Sequence, residues 1–208
     1  MITAKGTVMA SEDGCSQLDL YWIPLGAGAR VVRTSGMLYE ALAATVRRRP
    51  RQALYHAALV ADTQAGRYFI EMAPIPDTRG TSRGVVGEGP VGLKALGRFR
   101  LFRYELRRWL DGEIPDLGYA VASPVAVSRD GPAVQRVLDL LPLVPKPVWG
   151  RDEMETGEMW NSNSVVSWLL ARTGLLAAAG RPPQGGRAPG WDAGIVVAMR
   201  GRAQYSRR

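Results

Sequence analysis

One stretch of the sequence limits the fold more than any other, and it lies at residues 161–174. It begins with four small polar residues, Asn161 to Ser164, whose side chains can accept hydrogen bonds from the free N–H groups of a helix start. An apolar body follows, and Gly174 ends it in the way that glycine commonly ends a helix. The pattern predicts one buried helix with a polar N-terminus, around which the rest of the chain must pack.

Ser162 is the residue of chemical interest at this predicted N-terminus. Free backbone N–H groups and the positive end of the helix dipole converge there, and both favour a developing negative charge on the serine oxygen. A nucleophile or an oxyanion donor is therefore one interpretation of Ser162. The other is that Ser162 or Ser164 simply caps the helix, which is the commoner role for a serine before an apolar run.

Length and composition favour one domain of mixed structure. The chain has 208 residues, of which 46% are hydrophobic, so it can bury a full core. Its 14 prolines and 24 glycines indicate many turns and few long helices, which favours a mixed α and β fold over a helical bundle. We expect a single domain over residues 1–199 and a flexible basic tail over residues 200–208.

Cysteine content and hydropathy exclude several classes of protein. The only cysteine, Cys15, has no partner for an internal disulfide and cannot build a cysteine-based zinc cluster. The N-terminal residues lack a basic segment followed by an apolar run, and no stretch reaches about 18 apolar residues. The sequence therefore predicts a soluble, cytoplasmic protein without a membrane-spanning helix.

The positive net charge of +8 raises the question of nucleic acid as a partner. Almost all of the basic residues are arginines, and they are spread along the chain instead of lining one segment. The densest cluster, residues 47–51, ends a predicted helix, where cations are favoured by the helix dipole. We therefore do not expect nucleic acid to be a partner.

Apolar periodicity and turn residues predict an alternation of strands and helices. The predicted strands cover residues 18–25, 53–61, 68–72, 84–93, 97–104 and 195–199. The predicted helices cover residues 34–49, 105–111 and 131–141, in addition to the helix at 161–174. The second and third strands are joined by a turn at 62–66 and form a β-hairpin.

Common catalytic and cofactor motifs are missing from the sequence. There is no Gly-x-Ser-x-Gly elbow, no phosphate-binding Walker loop and no dinucleotide-binding glycine motif. A single histidine without a cysteine partner makes a zinc site improbable, so no cofactor is predicted. What remains is His56 on the first hairpin strand, Glu71 on the second, and Ser162. An acid can orient the imidazole while its other nitrogen faces the hydroxyl.

These residues carry a resemblance to a known family. The run from His56 to Asp62, the run from Phe69 to Pro74 and the run from Asn161 to Val166 resemble the circularly permuted papain-like (NlpC-type) family, which includes the lecithin retinol acyltransferase-like proteins. The resemblance implies an α+β fold over residues 1–199, with a small antiparallel sheet packed against a late helix that carries the polar N-terminus. It also implies that His56 is the base, Glu71 its orienter and Ser162 the counterpart of the usual cysteine nucleophile.

Four further residues are candidates for contact with a substrate. Asn161 and Asn163 flank Ser162 and are expected to donate hydrogen bonds to an oxyanion. Tyr55 and Trp160 lie near the candidate catalytic residues in sequence and would suit a large apolar substrate. Ordinary core packing is the alternative role for each of the two aromatic residues.

Serine at the nucleophile position leaves three functions open. A hydroxyl depends wholly on its base and its oxyanion donors, whereas a thiol is partly ionised at neutral pH. The first function is acyl transfer or hydrolysis on a largely apolar small molecule. The second is non-covalent acid–base chemistry, such as that of a dehydratase or cyclase that acts on a polyketide-like natural product in secondary metabolism. The third is a non-catalytic interaction protein. The oligomeric state, and whether the loop over residues 142–160 is a lid, do not follow from the sequence.

Overall fold

A single sheet forms the centre of the computed structural model, which describes residues 16–25, 53–75, 83–183 and 185–205. Its strands are β1 (Gln17–Pro24), β2 (Ala53–Thr63), β3 (Gly66–Pro74), β4 (Val85–Pro90), β5 (Arg103–Leu110), β6 (Val125–Ser128) and β7 (Gly186–Arg187). The order β4–β5–β3–β2–β1–β6 is antiparallel throughout, and the short β7 pairs parallel with the start of β2. The protein therefore has an α+β fold built on an antiparallel sheet.

The helices in the described part of the chain are α1 (Gly131–Leu140), α2 (Ser162–Thr173), α3 (Leu176–Ala179) and α4 (Trp191–Tyr205). Helix α2 contacts both the β2–β3 hairpin and α4, so it is enclosed by the sheet and a second helix. All residues from Ser162 to Ala171 are buried for this reason. The buried helix predicted at 161–174 is confirmed, including its termination at Gly174, which adopts a left-handed φ of 81°.

The two faces of the sheet are covered differently. Leu20, Leu59 and Ile70 point towards the helices and belong to the main hydrophobic core, as alternation along each strand requires. On the opposite face, Ile23 and Ala58 form a smaller cluster with Ile114, which lies in the segment that follows β5. Both faces of the central strands are therefore buried near β1 and β2.

A glycine allows α2 and α4 to pack closely. A Cβ atom at Gly194 would overlap the carbonyl oxygen of Ser164 and the hydroxyl of Ser167. The two serine hydroxyls donate hydrogen bonds to the carbonyl oxygens of Gly190 and Trp191, each at 2.7 Å. The contact between the helices thus combines small side chains with hydrogen bonds to Trp191, the first residue of α4, and to Gly190 before it.

Several predicted elements are confirmed by the structure. The strands expected over 18–25, 53–61, 68–72 and 84–93 correspond to β1, β2, β3 and β4, and the helix expected over 131–141 corresponds to α1. Asp130 caps α1, since its carboxylate accepts a hydrogen bond from the Ala133 N–H at 3.0 Å. The helix predicted over 34–49 lies outside the described residues. No helix in the described ranges is long and apolar enough to cross a bilayer.

The helix expected over 105–111 is wrong, because this segment is the strand β5. Tyr104 and Leu106 belong to the main core, whereas Glu105 and Arg107 are buried on the other face by pairing with each other. Tyr104, Glu105, Leu106 and Arg107 alternate as in a strand, but the adjacent cations Arg107 and Arg108 break the period of two. The strand expected over 97–104 begins only at Arg103, because 3₁₀ turns occupy residues 94–98 and 100–102.

The strand expected over 195–199 is also wrong, because these residues lie within α4. The run of Ile195, Val196 and Val197 favours a strand by local preference, but packing against α2 decides the conformation. Helix α4 continues to Tyr205 and so includes the first residues of the tail predicted at 200–208.

The close approach of α2 and α4 gives a prediction about stability. We expect Gly194→Ala to lower the free energy of unfolding by about 1–3 kcal/mol, because the added methyl group meets backbone and a bound hydroxyl that cannot move aside. Gly201→Ala in the same helix is the matched control. Its Cβ would meet only the flexible end of Arg172, so helix propensity should leave stability unchanged or raise it. Urea denaturation measures both, and equal shifts in the two variants would contradict the close approach.

Candidate active site

Strands β2 and β3 stop pairing partway along their length. Their register runs from the hairpin turn to Leu59 opposite Ile70 and goes no further. Beyond that point β2 remains paired with β1, and β3 remains paired with β5. A cleft therefore opens within the sheet, between residues 53–57 of β2 and residues 71–74 of β3.

The N-terminus of α2 closes the inner end of this cleft, where Asn163 takes the place of the missing strand contact. The Ala57 N–H donates to Asn163 Oδ1 at 2.7 Å, and Asn163 Nδ2 donates to the Tyr55 carbonyl at 3.0 Å. In a continued ladder these two backbone groups would face β3, since alternate residues of a strand direct their hydrogen bonds to the same neighbour. The second Nδ2 proton goes to the Pro189 carbonyl at 2.8 Å. The amide of Asn163 is thus fully engaged.

Asn161 is the N-cap of α2. Its Oδ1 accepts hydrogen bonds from the N–H groups of Asn163 at 2.9 Å and Ser164 at 3.4 Å, and its Nδ2 donates to the Pro189 carbonyl at 2.8 Å. The hydroxyl of Ser164 accepts a hydrogen bond from the Asn161 N–H at 3.1 Å and completes a capping box. Capping is therefore carried out by the residues on either side of Ser162, and Ser162 itself is left for another role.

A pocket of about 440 Å³ lies at the cleft. Its wall is mainly apolar and includes Leu25, Leu54, Met72, Ile114, Trp149 and Met159. The polar residues that line it are His56, Glu71, Arg107, Asp116, Asn161, Ser162 and Asn163. A cavity of this size with a few converging polar groups suits a small, largely apolar ligand. The pocket brings together all three residues that the sequence proposes as catalytic.

His56 lines the pocket as a neutral imidazole. Burial lowers the pKa of its side chain from 6.5 to about 4, and the nearby carboxylate of Asp116 opposes this shift in part. Since the ring is uncharged at neutral pH, one of its nitrogens can accept a proton. Its side chain forms no hydrogen bond within the described residues, so the imidazole is not committed to a structural partner.

Glu71 has a partner other than His56. Nη1 of Arg107 donates to Glu71 Oε1 at 2.8 Å, Nε donates to Glu105 Oε2 at 2.8 Å, and Nη2 donates to the Pro74 carbonyl at 3.0 Å. Burial raises the pKa of Glu71, whereas the charge and hydrogen bond of Arg107 oppose this rise. The predicted role of Glu71 as the orienter of His56 is therefore replaced in this geometry by an ion pair with Arg107.

A second arginine extends this charged group. Arg83 donates two hydrogen bonds to Glu105, at 2.9 and 3.0 Å, and these bonds lower the pKa of the Glu105 carboxyl. The alternating order Arg83, Glu105, Arg107, Glu71 balances the charges of two cations and two anions. Pairing of this kind is what allows charged side chains to be buried beside an apolar pocket.

Ser162 is the first residue of α2 and lines the pocket. Among the described residues, neither its hydroxyl nor its backbone N–H has a hydrogen-bond partner. A buried N–H at a helix start is a donor that a ligand can satisfy, and the helix dipole adds a favourable field for negative charge. Both groups of Ser162 are thus available to a molecule in the pocket.

Tyr55 and Trp160 do not line the pocket, contrary to the predicted substrate contacts. Both belong to the main hydrophobic core, Trp160 with only 1% of its surface exposed. Tyr55 alternates with His56 along β2, so its side chain points to the opposite face of the sheet. Asn161 and Asn163 do reach the pocket wall, but Asn163 has no free proton for an oxyanion and Asn161 retains a single one.

Two charged residues of the pocket, Arg107 and Asp116, are missing from the sequence-based prediction. Arg107 falls in the segment mistaken for a helix, and Asp116 follows Pro115 in a stretch without clear periodicity. The signal that could have identified Arg107 is the Glu105-x-Arg107 spacing on a strand, which puts opposite charges on one face. No group of three His, Cys, Asp or Glu side chains in the described ranges is arranged to hold a metal ion.

The contrast between Asn163 and Ser162 gives a second prediction. We expect Asn163→Ala to lower the free energy of unfolding by about 3 kcal/mol, because it leaves the buried Ala57 N–H and Tyr55 carbonyl without partners and removes one of the two hydrogen bonds to the Pro189 carbonyl. Ser162→Ala, one residue away in the same buried turn, should change stability by less than about 1 kcal/mol, since no described hydrogen bond is lost. Chemical denaturation of both variants tests this. A large loss from Ser162→Ala would show that Ser162 has a structural role.

The pKa of His56 gives a third prediction, and the test is simple because the chain contains one histidine. The imidazole protons should titrate in an NMR experiment with a midpoint near 4 instead of 6.5. Between pH 6.5 and about 4, the histidine of the unfolded chain binds its proton more tightly than His56 of the native state does. Stability should therefore fall as the pH decreases from 6.5 to about 4, by about 3 kcal/mol more than in His56→Gln. Asp116→Asn should lower the midpoint further, whereas a midpoint near 6.5 would mean that the imidazole is solvated.

Comparisons with known proteins identify no relative of this chain. No family model matches the chain, no curated protein matches it, and no solved structure matches its fold. The resemblance to the permuted papain-like family stays a prediction from three short sequence runs. What the protein does must be inferred from the geometry of the pocket.

Proposed function

We propose that the pocket is the active site of an enzyme that transfers or hydrolyses an acyl group of a small, largely apolar substrate, within a permuted papain-like fold. One observation carries the proposal: Ser162, with both its hydroxyl and its N–H unengaged by described residues, shares a pocket with a neutral histidine. The order of a histidine strand, a paired strand and a late helix also agrees with the family that the sequence resembles. The predicted cytoplasmic location and the absence of a nucleic-acid partner belong to the same proposal.

The first half of the reaction forms an acyl ester. A ring nitrogen of His56 takes the hydroxyl proton of Ser162 while Oγ attacks the carbonyl carbon of the substrate. The resulting oxyanion accepts a hydrogen bond from the Ser162 N–H and is stabilised by the positive end of α2. When the tetrahedral intermediate collapses, the leaving group takes the proton from His56. The acyl group then remains on Ser162.

The second half releases the acyl group. Water, or an acceptor alcohol or amine, attacks the ester while His56 takes the proton of the attacking group. Collapse of this second intermediate returns the proton to Ser162 Oγ and frees the product. Asp116 is the carboxylate that supports His56, because its charge favours the imidazolium formed in both halves.

The charged group around Arg107 has a different role in this proposal. Arg107 and Glu71 neutralise each other at the pocket wall, so neither leaves an isolated charge beside an apolar substrate. Glu71 therefore acts as a positioning residue for Arg107 and for the adjoining end of β3, since Arg107 also holds the Pro74 carbonyl.

Non-covalent acid–base catalysis is a second candidate, and one observation favours it. No hydrogen bond joins the His56 imidazole to the Ser162 hydroxyl, which is the contact that activation of the serine oxygen needs. In that mechanism His56 removes a proton beside a substrate carbonyl, and the Ser162 N–H stabilises the enolate. Dehydration and cyclisation of a polyketide-like chain are reactions of this type.

Covalent labelling tests the proposed function. We expect a fluorophosphonate probe to add one adduct to the native protein, observed as an increase in intact mass, because His56 and the N-terminus of α2 activate the serine oxygen. Ser162→Ala should abolish the adduct, and His56→Ala should slow its formation by about 100-fold or more. Heat-denatured wild-type protein controls for unspecific reaction with other hydroxyl groups.

The two candidate functions give different results in this experiment. An adduct on the native protein that maps to Ser162 supports acyl transfer. An adduct at another serine, or equal labelling of wild type and Ser162→Ala, contradicts the covalent role of Ser162. If activity on a true substrate requires His56 but persists in Ser162→Ala, the non-covalent mechanism replaces the covalent one.

A further inference from the structure

An exposed apolar segment lies between β4 and β5, at residues 93–102, which we call the 93–102 segment. It consists of two short 3₁₀ turns without buried residues. Leu93, Phe99 and Leu101 have 52%, 49% and 78% of their surfaces exposed, and Phe102 has 36%. Single exposed apolar residues are ordinary on protein surfaces, but four within ten consecutive residues indicate a binding surface.

Cations alternate with these apolar side chains. Lys94, Arg98 and Arg100 are exposed, and the sequence contains no acidic residue from Gly89 to Tyr104. The guanidinium of Arg98 lies 4.7 Å from the centre of the Phe99 ring, so cation and aromatic ring are presented together. The 93–102 segment is therefore basic and apolar at once, and it is complementary to a surface that is anionic outside and apolar beneath.

The 93–102 segment and the pocket lie at the same end of the sheet. The last residue of β4, Pro90, pairs with Arg103, and the last residue of β3, Pro74, pairs with Tyr104. Pro74 also lines the pocket, as does Trp149, whose carbonyl accepts a hydrogen bond from the Gly92 N–H at 3.0 Å. The segment thus projects next to the pocket wall.

We propose that the 93–102 segment binds the surface of an anionic lipid bilayer. Lys94, Arg98 and Arg100 contact lipid phosphates, while Phe99 and Leu101 enter the boundary between headgroups and acyl chains. A bilayer suits this pattern because it is fluid and needs no preformed cavity for each protruding side chain. The binding goes beyond the chemistry at Ser162 and does not depend on it. When the 93–102 segment is bound, the pocket wall lies close to the membrane, where largely apolar molecules are concentrated.

Co-sedimentation with lipid vesicles tests the proposal on the full chain. We expect binding to vesicles of phosphatidylcholine mixed with phosphatidylserine, weaker binding to phosphatidylcholine alone, and loss of binding as salt is raised. The triple variant Lys94→Gln/Arg98→Gln/Arg100→Gln should reduce partitioning on the order of 100-fold. The matched control Arg129→Gln/Arg136→Gln/Arg181→Gln removes the same charge from exposed arginines on other elements and should reduce it far less.

The apolar contribution has its own control. Phe99→Ser/Leu101→Ser should reduce partitioning on the order of 10-fold or more, whereas Met199→Ser, which removes an apolar side chain that is 60% exposed on α4, should have no effect. Circular dichroism confirms that each variant is folded. Equal binding to neutral and anionic vesicles, or equal loss in the triple variant and its control, would overturn the proposal. So would a native protein that ignores vesicles and instead binds an acidic protein through the 93–102 segment.

Discussion

The side-chain amide of Asn163 is the interaction on which the rest of the structure depends. A sheet that separates internally leaves backbone donors and acceptors facing an apolar interior, and such groups are strongly destabilising unless they find partners. Asn163 supplies one acceptor and one donor in the geometry of a neighbouring strand, and so satisfies Ala57 and Tyr55. The separation of β2 from β3, the depth of the pocket and the position of the α2 N-terminus all follow from this substitution of a side chain for a strand.

The other side of the cleft is held by charge instead of by an amide. Arg107 shares its guanidinium between Glu71 and Glu105, yet the pKa values of the two carboxyls shift in opposite directions. Glu105 accepts hydrogen bonds from both Arg83 and Arg107, so its ionised form is favoured, whereas burial dominates at Glu71. The charges at the pocket wall therefore balance, although the two carboxyl groups differ in how strongly their ionised forms are favoured.

Elements whose signals are local could be predicted from the sequence. The hairpin follows from its turn, and α2 follows from a polar cap, an apolar body and a terminal glycine. The strand β5 and the helix α4 could not be predicted, because their conformations are decided by pairing and packing with residues far along the chain. His56, Glu71 and Ser162 line one pocket, and the catalytic roles expected for them stay predictions. The partner of Glu71 was not predictable, because Arg107 lies opposite Glu71 only through the pairing of β3 with β5, and β5 was not predicted as a strand.

Adjacent residues at the N-terminus of α2 have different roles. Asn161, Asn163 and Ser164 hold the fold through hydrogen bonds, and Ser162 between them holds none within the described structure. A substitution at Asn163 would disturb the hydrogen bonding of the sheet, whereas a substitution at Ser162 would alter only the pocket. The side-chain atom at this position can therefore change from oxygen to sulfur or hydrogen while the scaffold stays intact. The chemistry of the pocket wall and the stability of the fold can change independently of each other.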